Sequence, residues 1–131
     1  MAQVVIDTSA VLAVILNEAS KPAIIDATID AELSAPGSLH WEVGNALSSL
    51  FKRRRIDLGQ AIKALEAYYR IHIRLIDVDL KEAVELANEM SVYAYDAYVL
   101  VCAEMLKAPV LTLDKSMVQL ARARAITLVE V

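Results

Sequence analysis

Val4-Val5-Ile6-Asp7-Thr8-Ser9-Ala10 sets three β-branched apolar residues against an acid and two hydroxyls, and a second apolar run follows from Ala10 to Leu16. Such a run reads as a strand buried on both faces, and a helix starting at about Ser9 puts Asp7 at the carboxyl edge of a sheet. Open α/β folds bind their ligands along that edge. Asp7 can equally open a turn or cap the first helix, and both roles stay open until the rest of the chain is read.

Downstream, Val11, Leu12, Ile15 and Leu16 make a helical stripe that stops near Asn17-Glu18. Ser20 with Pro22 behind it predicts the N-cap of a helix carrying Ile24, Ile25 and Ile29. Glu32 to Ala35 reads as extended and ends at Pro36-Gly37. Val43, Ala46, Leu47, Leu50 and Phe51 then recur at helical spacing, which lays Glu42 and Asn45 along one margin of that helix. Lys52-Arg53-Arg54-Arg55 closes it, where cations complement the helix dipole or bind phosphate. After a break at Asp57 to Gly59, Ile62, Leu65, Tyr69 and Ile73 predict another helix, leading into the extended Leu75-Ile76-Asp77-Val78. Ala83, Leu86, Ala87 and Met90 again step by three and four. Ala97 to Leu106, opened by Tyr95-Asp96, is apolar nearly all round and predicts a central helix. Val110-Leu111-Thr112-Leu113 is a strand ending at Asp114, Leu120 to Arg124 ends a short helix, and Ile126 to Val129 is a last strand. Strands alternating with helices predict a parallel sheet covered on both faces, a three-layer α/β/α arrangement.

The 131 residues predict one domain spanning residues 1–131. The 57% hydrophobic content exceeds the roughly 45–50% of an average soluble domain, so some apolar surface is expected to meet a partner. No apolar segment reaches the roughly 18 residues that span a bilayer. The residues before Ala10 carry Asp7 and no Lys or Arg, so the run to Leu16 lacks the basic flank of a signal peptide and a cytoplasmic protein is expected. Cys102 is the single cysteine, which excludes an internal disulfide, and its apolar setting predicts a buried thiol of raised pKa. A net charge of -4 argues against coating nucleic acid by general positive charge, so any such contact must be local.

Asp7 and Asp114 share one context, an apolar strand ending just before a helix. If their strands are neighbours, both carboxylates face the topological switch point of the sheet. Asp96 opens the apolar helix and Glu42 lies near the start of another, where the dipole favours an acid by about 0.3–1 kcal/mol. Yet no Lys or Arg stands between Lys81 and Lys107, and a buried unpaired carboxylate must protonate or find a cation. Oxygen ligands alone, with His40 and His72 in different segments, point to Mg²⁺ or Mn²⁺.

Four blocks, Val5-Ile6-Asp7-Thr8-Ser9, Trp41-Glu42-Val43-Gly44-Asn45-Ala46-Leu47, Tyr95-Asp96-Ala97 and Leu111-Thr112-Leu113-Asp114, resemble those of the PIN-domain ribonucleases, and within them the VapC-like toxins of toxin-antitoxin pairs. The resemblance implies a sheet ordered 3-2-1-4-5, an acidic quartet at Asp7, Glu42, Asp96 and Asp114 that holds Mg²⁺ or Mn²⁺, a hydroxyl pair at Thr8 and Ser9, and a helix asparagine at Asn45. Leu113 stands where relatives often have a small residue. The resemblance also implies a homodimer and a groove for an antitoxin helix. The expected activity is a metal-dependent endoribonuclease in which Asp7 and Asp96 are direct ligands and no side chain is covalently attached, leaving a 5′-phosphate and a 3′-hydroxyl. Thr8 or Thr112 orients the water or a ligand, and Arg53, Arg54, Arg55 and Lys115 contact RNA.

Three rivals differ in what they need. A haloacid-dehalogenase-like phosphatase requires a second Asp where Ser9 stands, and a receiver domain requires an acidic pair where Thr8-Ser9 stand. A non-catalytic RNA- or protein-binding module on the same scaffold would be expected to have lost acids, and all four are present.

Overall fold

Residues 2–131 are described by a computed structural model. In chain order the elements are β1 (Ala2–Ile6), α1 (Thr8–Ile15), α2 (Lys21–Thr28), β2 (Ala31–Pro36), α3 (Leu39–Lys52), α4 (Leu58–Arg70), β3 (Ile73–Ile76), α5 (Leu80–Met90), α6 (Ala94–Leu106), β4 (Val110–Leu111) and α7 (Lys115–Ala123). The strands form one sheet in the order β3-β2-β1-β4, and every pairing is parallel.

β1 lies inside the sheet because its side chains suit both faces. Successive strand residues point to opposite sides, so Val4 and Ile6 enter one core with Val11, Leu39, Val43, Leu47, Ala64 and Tyr68, while Val5 enters the other with Leu86, Leu100, Cys102, Met117 and Ala121. Helices α1 to α4 cover the first face and α5 to α7 the second, giving three α/β/α layers. α6 is the central helix its composition predicts, with Ala97 and the run from Val99 to Ala103 buried. Burial in that helix pushes the Cys102 thiol up to about 11. None of the described helices is long and apolar enough to cross a membrane.

Three local expectations are corrected. The strand expected at Ile126 to Val129 is a single parallel bridge, Val110 to Leu128, held by Val110 N donating to the Thr127 carbonyl and Val129 N donating to the Val110 carbonyl, each at 2.9 Å. β4 is only two residues long, so a neighbour on its outer side has one position to pair with. Ile73 belongs to β3 because pairing with Leu33 outweighs one more helical turn beyond the extended Ile71. Ser20 precedes α2 in a helical conformation and its side chain makes no cap bond; Lys21 N instead donates to the Glu18 carbonyl at 3.0 Å.

The core assignment is testable by urea unfolding. Leu100 is fully enclosed, and Leu100→Ala should cost about 2–5 kcal/mol. Ile29 is 74% exposed, and Ile29→Ala should change stability by no more than about 0.5 kcal/mol.

Candidate active site

The carboxyl ends of β1 and β4 lie side by side, with Ile6 opposite Leu111 and Asp7 N donating to the Leu111 carbonyl at 3.2 Å. Immediately beyond that pair the chain turns into α1 on one side and toward α7 on the other. Asp7 is the N-cap of α1, extended in backbone and 7% exposed. Its Oδ1 accepts from Ala10 N at 3.2 Å and from the Ser9 hydroxyl at 2.6 Å, and its Oδ2 accepts from the Thr112 hydroxyl. Ser9 Oγ in turn accepts from Leu113 N at 2.9 Å, and Thr112 Oγ1 accepts from Asp114 N at 3.0 Å. The two hydroxyl oxygens are 3.3 Å apart. Asp114 is the N-cap of α7, accepting from Ser116 N at 2.9 Å. Capping and membership of this cluster are therefore compatible: the cap bonds orient both carboxylates.

Glu42 comes from the start of α3, half-buried, between the hydroxyls of Ser38 and Thr8. Asp96 comes from the first turn of α6. Burial raises the pKa of Asp7 most, offset by the bonds from Ser9, Thr112 and Ala10, with Asp114 adding to the rise. Burial again comes first for Glu42, with Ser38 and Thr8 lowering its pKa and the charges of Asp7 and Asp96 raising it. Asp96 is raised by burial and then by Asp114. The four acids thus form one electrostatic group, and among the described residues none of them takes part in an ion pair. Their side chains are not drawn into a cage: among the described residues no three His, Cys, Asp or Glu groups are arranged to hold an ion as they stand.

Ser9 and Thr112 both contact Asp7, whereas Thr8 faces Glu42. Asn45 is exposed one turn beyond Glu42, and Lys115 follows Asp114 directly as the first residue of α7. The arginines are not brought to this cluster. Arg53 ends α3, eleven residues beyond Glu42, which at 1.5 Å rise per residue is about 17 Å along the helix. Its Nε donates to the Ser49 carbonyl at 3.4 Å, the contact expected of a cation at a helix C-terminus. Ser38 is the neighbour of Glu42 that sequence reading passed over. Its signal was the four-residue spacing to Glu42, which puts both on one helical face.

The sequence matches the PIN domain family over residues 4–123. No curated protein sequence matches the chain. Among solved structures, PAE2754 from Pyrobaculum aerophilum is similar with a TM-score of 0.69 and 22% identity, over 90% of this chain and 78% of its own. VapBC2 from Rickettsia felis, solved bound to a DNA fragment from its promoter, gives a TM-score of 0.69 at 14% identity over 96% of each chain. VapC20 from Mycobacterium tuberculosis, described as a toxin cleaving the sarcin-ricin loop, gives 0.63 at 13% identity over 89% of this chain and 94% of its own.

Raised carboxylate pKa values make the fold bind protons more tightly than the unfolded chain. Stability contributed by these groups is therefore greatest at low pH and is lost as pH rises from their ordinary values, 3.8 for Asp7 and Asp96 and 4.5 for Glu42, through the raised folded values. In EDTA at pH 7, Asp7→Asn should melt higher than the parent and lose less stability between pH 4 and 7; each gain of about 1 kcal/mol reads as roughly 4 °C. The hydroxyl network tolerates the change, because the amide can donate to Thr112 while the Thr112 hydroxyl turns to Ser9. Asp96→Asn should shift in the same direction. Calorimetry across pH checks both, and lower melting points in EDTA would reduce these acids to helix caps.

Proposed function

The chain belongs to the PIN domain family, and from that membership we propose that it is a Mg²⁺- or Mn²⁺-dependent endoribonuclease, the toxin of a toxin-antitoxin pair. The observation that supports this reading best is the group of four acids from four separate elements, three with pKa values pushed up by burial and none paired with a cation among the described residues. Holding unneutralised carboxylates together opposes folding, and a divalent cation removes that opposition. The donors are all oxygen, which suits Mg²⁺ or Mn²⁺ over zinc.

Asp7, Glu42, Asp96 and Asp114 are the residues that would hold the ion, after side-chain rotation. A divalent cation bound there lowers the pKa of water and offsets charge building on the attacked phosphate. Asp7 is held in place by Ser9, Thr112 and Ala10, and its Oδ2 keeps a lone pair beyond the Thr112 bond. Asp96 has no such restraint and adjusts with the scissile phosphate. Thr8 and Asn45 take supporting roles around Glu42, and Lys115, the residue after Asp114, takes the contact with the phosphate chain. Arg53, Arg54 and Arg55 meet RNA farther from the cleaved bond and strengthen binding rather than chemistry.

Two apolar surfaces fit the proposed protein partners. One is a groove in which Ile15, Leu16, Leu50, Ile56 and Ala64 are interspersed with Glu18, Lys21, Gln60 and Lys63; it suits an amphipathic antitoxin helix. The other lies at the open edge of β3, where the exposed Trp41, Leu75 and Leu80 line one cavity, and suits a second copy of the chain.

Purified protein free of any partner should cleave structured RNA with Mn²⁺ or Mg²⁺ and stop in EDTA. Asp96→Asn should lose at least about 100-fold, the scale on which transition-state charge stabilisation is lost; cleavage at the parent rate would refute the assigned site. Replacing Arg53, Arg54 and Arg55 by Ala should weaken RNA binding and flatten its salt dependence, and an unchanged salt slope would leave the cluster only its role at the helix end. Light scattering should give a dimer for the parent and a monomer for Leu80→Asp.

A further inference from the structure

Ser38 occupies the N-cap position of α3, yet its backbone is helical and its side chain makes no cap bond. Its Oγ is buried without a hydrogen-bond partner at full bonding distance among the described residues. A buried hydroxyl left unpaired is costly and rare, and the residue could shed that cost by pointing elsewhere or by being replaced with Ala. The hydroxyl does have a neighbour. Glu42 N donates to the Ser38 carbonyl at 3.0 Å, so the two residues stand one turn apart on the same side of α3. The hydroxyls of Ser38 and Thr8 are the two groups that lower the pKa of the Glu42 carboxylate. Ser38 also lines a cavity of about 500 Å³ with Trp41 and Tyr98.

We propose that Ser38 is a positioning residue for Glu42: its hydroxyl is held in reserve and donates to the Glu42 carboxylate once that carboxylate turns to engage a divalent cation. This inference rests on the metal-dependent reading of the same acids. The bond fixes one carboxylate oxygen, so the other faces the ion in a single orientation, as supporting groups do for ligating side chains elsewhere.

The test needs no RNA. Parent, Ser38→Ala and Ser38→Thr are melted in EDTA and in Mn²⁺, and Mn²⁺ affinity is measured by calorimetry. In EDTA Ser38→Ala should melt close to the parent, because the hydroxyl it loses is within hydrogen-bond distance of no partner among the described residues. Its Mn²⁺-induced rise should shrink, with affinity down about 10-fold, the low end of what loss of a supporting contact costs at metal sites. Ser38→Thr, which keeps the hydroxyl, should restore both. A lower melting point for Ser38→Ala in EDTA with an unchanged Mn²⁺ response would make Ser38 a helix cap and overturn the inference while leaving the metal-dependent reading intact. No Mn²⁺ response in the parent would overturn both.

Discussion

Everything at the carboxyl edge of the sheet depends on how one buried carboxylate is satisfied. Asp7 accepts from a backbone amide and two hydroxyls, one of them 105 residues away at Thr112. Removing a carboxylate from water without partners costs several kcal/mol, so the fold is stable only if the loop after β4 comes back to the loop after β1 in one register. Ser9 and Thr112 complete that closure by accepting from Leu113 N and Asp114 N. The same bonds that make Asp7 tolerable inside the protein thereby set Asp114 beside it.

β4 is short for the same reason. Two residues pair with β1, and then the backbone is spent on hydroxyl bonds and on the turn into α7 instead of on further ladder. A strand that ends early leaves little to pair with on its other side, and the last extended segment is reduced to one bridge. Regular structure gives way where the polar network begins, as it does at many sites where local rules are broken for a purpose.

Position within a helix does different work in the two remaining acids. Asp96 stands in the first turn of an almost wholly apolar helix, so packing of Val99 to Ala103 decides where it lies, and no ion pair among the described residues restrains it. Glu42 stands on an amphipathic helix whose buried stripe, Leu39, Val43 and Leu47, leaves one flank for Ser38 and Glu42 together. One acid is set by hydrophobic burial alone and the other by burial plus neighbouring hydroxyls, which makes the cluster part rigid and part adjustable.

Local rules suffice for much of this protein. The β-branched run before Asp7 reads as a strand buried on both faces, the periodicity from Val43 to Phe51 as an amphipathic helix, and the apolar Ala97 to Leu106 as a central one, because period and composition are properties of a few neighbouring residues. The residue types at Asp7, Glu42, Asp96 and Asp114 likewise carry their chemistry in the sequence. What the sequence could not decide alone depends on contacts between distant segments: that Thr112 and Ser9 both serve Asp7, that Thr8 acts on Glu42 instead, that Ile73 leaves its helix to pair with Leu33, that the arginines end far from the acids, and that the Ser38 hydroxyl is buried with no hydrogen-bond partner among the described residues. Each of these depends on which distant segments the fold brings together, and no property of a few neighbouring residues decides it.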